Sequence, residues 1–308
     1  MKTTEVKFSF FLKHQIKNLD VYVLVDQKLR KILSCSDPFD LKKLDELFMK
    51  GLEIYHIPQL SYQEILNQQL IILEKVLPDV VDVSEENLNY TKDKVKELHF
   101  SEQEFEQFKL KLDNVIAKFN KTKSKKVKTL ILELFTSQGY LVDHAILTAF
   151  ICILLQEKLG WRSEVNEERV LMAAALKDCI HNSPILSKVR HNDEIDTLSI
   201  DRRFKKVLHG YYNEISSLFE QIEMDDPEIK NILINCHELP DGSGYPRKLG
   251  ENAVTGLSAL FNVSMYFSQE YLGRFISGKS VEDIKKEMNV VFSRGNYKKP
   301  LQALMEIL

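Results

Sequence analysis

Apolar and polar positions alternate with a period of two over the first 58 residues, then change to a helical period for the rest of the chain. Val21, Val23 and Val25 point one way and Tyr22 and Leu24 the other, which predicts a strand covered on both faces. Leu29 to Leu33 follows as a partner strand after a turn at Asp26-Gln27. Asp37-Pro38 breaks the pattern, and Asp40 is placed to cap a short helix over Leu41 to Lys50. Gly51 ends that helix and Glu53 to Ile57 returns as a strand. Residues 1–58 are therefore expected to form a small α+β domain.

Residues 59–130 carry helical patterns with many charges and are read as a helical linker region. Ser101 and Glu104 form a capping box ahead of an apolar-periodic stretch, Phe105 to Phe119. The basic run Lys121 to Lys128 reads as a solvated linker face, because no aromatic residues interleave it as a nucleic-acid groove requires. From Thr129 the chain reads as helix after helix: Asp143 to Leu159, a helix capped by Asn166 and running to about Lys177, Arg203 to Ile222, a helix begun by Asp226-Pro227, Thr255 to Phe275 and Ser280 to Phe292. Residues 131–308 are thus predicted to be an all-α bundle with its sites built between facing helices. The fold class expected is mainly α, with the small α+β domain in front.

The 308 residues and 44% hydrophobic content allow a buried core without disulfide staples. A net charge of -3 gives no general pull toward nucleic acid polymers or an anionic membrane. The longest apolar stretch, Ala145 to Leu155, is short for a bilayer span, and the apolar patch Phe8 to Leu12 is followed by no small-residue cleavage site. Cys35, Cys152, Cys179 and Cys236 are scattered without disulfide or CxxC spacing. Together these predict a cytoplasmic protein with reduced thiols and no membrane insertion.

The most informative segment is residues 236–250, CHELPDGSGYPRKLG. A helix ending at His237 would present an imidazole on a rigid support. Gly242 and Gly244 allow backbone conformations closed to other residues, and Pro246 stiffens the exit. Such a loop can bring backbone N–H groups to a phosphate, with Arg247 and Lys248 adding positive charge.

His237, Glu238, Asp241, Gly242, Ser243, Gly244, Tyr245 and Pro246 make this segment resemble the signature of the HD-GYP domains, metal-dependent cyclic-di-GMP phosphodiesterases; the resemblance spans roughly Gly139 to Met288. The N-terminal strand, strand, DPFD, helix, Gly, strand pattern also resembles the short domain that precedes some members. The resemblance implies metal ligands at His144, Asp178, His209 and His237, with Cys236 in place of a ligand histidine. It implies catalytic roles for Asp178 and for His181, which stands where the family has a lysine. Asp241, Gly244, Tyr245, Pro246, Arg247 and Arg274 correspond to ligand-binding positions. Two ligands are replaced outright: Lys177 stands where the HD histidine should be, and Met265 where the last aspartate should be.

In this family two or three metal ions would activate water and take up phosphoryl charge. Lys177 and Met265 remove half of one metal position, and the Lys177 ammonium can pair with Asp178 there instead. Asp178, His209, Cys236 and His237 remain as a set for one further ion. The cofactor implied is therefore one Fe, Zn or Mn ion, or none. Three readings follow: an impaired member sensing cyclic-di-GMP or binding signalling proteins, an active phosphodiesterase with a mononuclear site, and an interaction scaffold without ligand. The helical linker is compatible with a homodimer.

Overall fold

The computed structural model describes residues 3–7, 18–25, 28–49, 54–61, 83–121, 139–178, 184–197, 208–222 and 226–308, with isolated positions 16, 52 and 205. The Asp26-Gln27 turn, Gly51, Phe8 to Leu12, Cys179, His181 and the 122–128 part of the basic run lie outside the described residues. The chain divides into two compact units, Met1–Asp79 and Val80–Leu308.

The first unit contains strands β1 (Thr3–Lys7), β2 (Val21–Val25), β3 (Lys28–Leu33) and β4 (Ile54–Pro58), with helix α1 (Leu41–Met49) between β3 and β4. All pairings are antiparallel and the sheet order is β1-β4-β2-β3. The amide of Lys43 bonds Asp40 Oδ1 at 3.1 Å, so Asp40 caps α1 as its position predicted. Val21, Val23, Tyr55 and Ile57 pack with Leu44 of α1 in one core, and the Tyr55 hydroxyl donates to the Leu44 carbonyl at 2.9 Å. The expectation that β2 is covered on both faces is corrected. On the face opposite Val21 and Val23, Leu24 is 54% exposed, whereas Val21 and Val23 pack in the core with Leu44 of α1.

The second unit holds α2 (Glu85–Glu97), α3 (Glu102–Lys121), α4 (Tyr140–Lys158), α5 (Glu164–Leu176), the short α6 (Pro184–Ser187) and α7 (Asn192–Thr197), α8 (Tyr211–Ile222), α9 (Pro227–Asn235), α10 (Gly256–Ser277), α11 (Val281–Phe292) and α12 (Lys298–Ile307). Helix α4 is its centre, packed by α2, α5 and α10. It is apolar on every side, and by length and composition it could cross a membrane, yet its residues are buried inside the bundle. The long helix α10 packs along it, and α9 sits between α5 and α10.

Residues read as linker belong to this unit. The predicted capping box is present, with Glu104 N donating to Ser101 Oγ at 3.2 Å and Ser101 N to the Glu104 carboxylate at 2.7 Å. Phe105, Phe108, Leu112, Val115, Ile116 and Phe119 then form one buried stripe. Phe100, Phe105 and Phe108 surround Phe150 of α4 at centroid distances of 5.5, 6.0 and 5.5 Å. That aromatic cluster gives the stripe its partner, so the helix is structural rather than a free connector.

Cap residues set most boundaries. Asp226 caps α9 as expected, and Thr255 and Ser280, read as the first residues of their helices, are the caps of α10 and α11. Helix α5 differs: Ser163, not Asn166, is its cap, and the Asn166 side chain bonds the Trp161 carbonyl at 3.0 Å. A β-bridge between Asp241 and Gly250 closes the loop after α9.

Candidate functional site

Helix α5 ends in Ala173-Ala174-Ala175-Leu176, all buried among its neighbours. Lys177 and Asp178 follow in the closing turn, each 1% exposed. His144 enters from the first turns of α4 and is fully buried. The Lys177 ammonium pairs with the Asp178 carboxylate and stands 2.9 Å from His144 Nδ1. On its other side, His144 Nε2 lies 3.1 Å from the Met265 carbonyl of α10.

A carbonyl can only accept, so Nε2 carries the imidazole proton and Nδ1 accepts from Lys177. Burial and the neighbouring Lys177 charge push the His144 pKa down to about 3, which keeps the ring neutral. Ser187 Oγ approaches the same Nδ1 at 3.4 Å, and the Tyr140 ring stacks on the imidazole at 5.3 Å.

Beyond this pair sits Tyr211, fully buried at the start of α8. Its hydroxyl is 3.1 Å from the Lys177 carbonyl and 3.3 Å from Cys236 Sγ. The hydroxyl donates to the carbonyl, and the thiol is placed to donate to the hydroxyl oxygen. Burial pushes the Cys236 thiol up to about 12, so it stays protonated in these surroundings.

Several amides of the DGSGYP loop and its flanks are bonded within the segment itself. Glu238, fully buried, accepts N–H bonds from Arg247 at 2.7 Å and Leu249 at 2.8 Å. Asp241 accepts from the Ser243 amide at 2.9 Å and its hydroxyl at 2.6 Å. The Tyr245 amide bonds the His237 carbonyl at 3.1 Å. Asn262 of α10 donates to the carbonyls of Asn235 and Glu238 at 2.8 and 3.0 Å, satisfying groups that the end of α9 leaves open. A Cβ on Gly244 would stand 2.4 Å from the His237 carbonyl oxygen, so only glycine fits. These amides are committed inside the loop. The phosphate cradle expected from the glycine spacing is therefore not formed by the amides of Ser243, Tyr245, Arg247 and Leu249.

The side chains expected at the site separate into groups. His144, Lys177, Asp178, Cys236, His237 and Met265 are buried in the bundle. Tyr245 is fully buried with Leu186, Val189, Ile195 and Leu208, its hydroxyl donating to the Val189 carbonyl at 3.1 Å. Arg247 is exposed on the loop; its guanidinium bonds Asn235 Oδ1 and lies 5.7 Å from the Tyr212 ring. Pro246 follows a cis peptide bond. His209 is exposed, unlike the buried group. Arg274, in the last turns of α10, pairs with Glu97 and stacks on Tyr271 at 3.7 Å. It lies twelve residues beyond Asn262, roughly 18 Å along the helix, and so serves the α2 contact rather than the loop.

Tyr211, Ser187 and Asn262 were not singled out in the sequence. No motif marks any of them. A cavity of about 20 Å³ lies between Cys236, His237, Asn262, Met265 and Arg190, room for about one water.

As arranged, the donor atoms of His144 and Asp178 already have protein partners. One nitrogen of His144 takes Lys177 and the other faces a carbonyl, while an ammonium already meets the Asp178 carboxylate. Among the described residues no three His, Cys, Asp or Glu side chains are grouped as ligands.

No family model matches the chain, and no curated protein matches it. Among solved structures the chain is similar to Bd1817, a HDG"Y"P protein from Bdellovibrio bacteriovorus, at 17% identity and a TM-score of 0.44, over 99% of each chain. That likeness is too distant to carry the role of any residue.

Proposed function

We propose that the second unit is an HD-GYP-like domain of cyclic-di-GMP signalling that has lost hydrolysis and works as a regulator. The observation that carries this reading is the Lys177 ammonium, buried between Asp178 and His144. Hydrolysis of a phosphodiester by this class of site needs a metal-activated water, and a fixed ammonium repels a metal ion from the same carboxylate. The DGSGYP loop supports a binding role. Arg247 and Lys248 are exposed on it, and Tyr212 presents a ring that is 40% exposed beside Arg247. A guanidinium suits a phosphate and an open aromatic face suits a purine.

The test is to incubate the protein with cyclic-di-GMP and Mn²⁺, Fe²⁺ or Zn²⁺ and to titrate the dinucleotide calorimetrically. The reading predicts no linear product and measurable binding. Arg247→Ala should weaken that binding by about 1–3 kcal/mol through loss of a charge-assisted contact. Rapid linearisation by the wild type would overturn the regulator. Absence of binding at high micromolar dinucleotide would leave a protein-binding scaffold in its place.

A further inference from the structure

We infer that the cavity beside Asn262 is a binding site for one ordered water, which bridges Asn262 Oδ1 to Arg190 Nε and ties the chain between α6 and α7 to the root of the DGSGYP loop.

Asn262 is 2% exposed, and the orientation of its amide is fixed by its partners. Its Nδ2 lies 2.8 Å from the Asn235 carbonyl and 3.0 Å from the Glu238 carbonyl. A carbonyl can only accept, so the NH₂ group belongs on that side. Oδ1 is left on the other side of the amide, buried and without a donor among the described residues.

Arg190 brings the opposite need. Its guanidinium lies 3.7 Å over the Tyr266 ring, and Nη2 pairs with Glu270 at 2.5 Å. Its Nε is buried and has no acceptor among the described residues. Asn262, Arg190 and Tyr266 line the same cavity, whose volume of about 20 Å³ is room for one water.

A buried acceptor and a buried donor therefore face one water-sized space, and this pairing selects the occupant. A metal ion would meet the Arg190 N–H and its positive charge. A halide would meet the lone pairs of Asn262 Oδ1. Water gives a proton to Oδ1 and accepts one from Nε, so it satisfies both groups at once. The bridge joins three parts of the second unit. Arg190 follows α6, Asn262 belongs to α10, and the Asn262 amide holds the carbonyls where the DGSGYP loop leaves α9. The inference rests on these two side chains and stands apart from the nucleotide reading.

The test is a high-resolution crystal structure of the full chain, with bromide and rubidium soaks, together with water–amide NOE spectra in solution. One water peak should stand within about 2.7–3.2 Å of both Asn262 Oδ1 and Arg190 Nε, with no anomalous signal from either soaked ion. In solution the Asn262 side-chain amide protons should show a cross-peak to a long-lived water. Arg190→Lys keeps a cation for Glu270 but removes Nε. It should shorten the residence of the water by roughly tenfold, the loss of one charge-assisted bond. A cavity without density, a bromide, rubidium or metal peak inside it, or a water bonded to only one of the two side chains overturns the inference. So does a wild type without the cross-peak, or an Arg190→Lys whose water exchanges at the wild-type rate. If Arg190→Lys fails to fold, the wild-type density and cross-peak decide.

Discussion

The phenol ring of Tyr245 lies flat on the imidazole of His237, with centroids 4.6 Å apart and planes within 10° of parallel. The tyrosine of the loop is thus a packing residue: it stacks on His237, meets Tyr211 edge-on at 6.3 Å and uses its hydroxyl on the Val189 carbonyl. Tyr245→Phe should cost about 1–3 kcal/mol, because the Val189 carbonyl is left buried without that donor. Tyr245→Ala should cost about 3–5 kcal/mol by adding a cavity. Urea unfolding of both variants checks this. A Tyr245→Phe as stable as wild type would show that the hydroxyl bond is not a supporting contact.

Gly244→Ala should disrupt the loop more than its size suggests. The added methyl would meet three backbone atoms of residues 237 to 239 at 2.4 to 2.7 Å, and backbone cannot swing aside as a side chain can. We expect a loss of about 1–3 kcal/mol or more, as for overpacking at a closed site. Circular dichroism melting should show it. By contrast, Gly250→Ala meets nothing within 4 Å and should be close to neutral.

The thiols should differ in reactivity. Cys35 is exposed, whereas Cys152 and Cys236 are buried and burial pushes both thiols up to about 12. At pH 8 the buried pair is therefore held almost wholly in the unreactive protonated form. Iodoacetamide followed by peptide mass spectrometry should label Cys35 first and leave Cys152 and Cys236 untouched until the bundle unfolds. Early labelling of Cys236 in the native protein would contradict its placement beside Tyr211.

The first unit should lose stability in acid through Asp20. Its carboxylate accepts from Lys31 Nζ at 2.8 Å and from the Cys35 amide at 2.7 Å, and these contacts, Lys31 first, hold its pKa down at about 2. The folded pKa lies below the ordinary 3.8. Between the two values the unfolded chain binds more protons, so this contribution is complete above the ordinary value and is lost as pH falls through about 2. Hydrogen-exchange protection of the β2 and β3 amides should therefore fall faster in wild type than in Asp20→Asn as pH drops from 4 to 2. At neutral pH the variant should be the less protected of the two. Equal acid sensitivity of the two proteins would exclude Asp20 as the source.

The sequence by itself determined that the second unit is helical and where several of its helices begin, though not the start of α5. Asp226, Thr255, Ser280 and the Ser101–Glu104 box sit where the helices begin, because a cap is a local contact between residues two or three apart. The glycine requirement at 244 was legible in the same way, in the loop's own spelling. The sequence also showed that Lys177 and Asp178 are adjacent, and that a lysine there could pair with the aspartate.

Only the tertiary structure decided what surrounds that pair. His144 lies 33 residues before Lys177 and Met265 lies 121 after His144, and no local pattern brings them together. Packing of α4 against both α5 and α10 does so, and it fixes which imidazole nitrogen carries the proton. The same packing left His209 at the surface, put Arg274 on Glu97 and buried Tyr245 in the core. A motif specifies residue types at spacings along the chain. Burial, and with it the free energy of every charge and hydroxyl, depends on neighbours distant in sequence that only the folded bundle supplies.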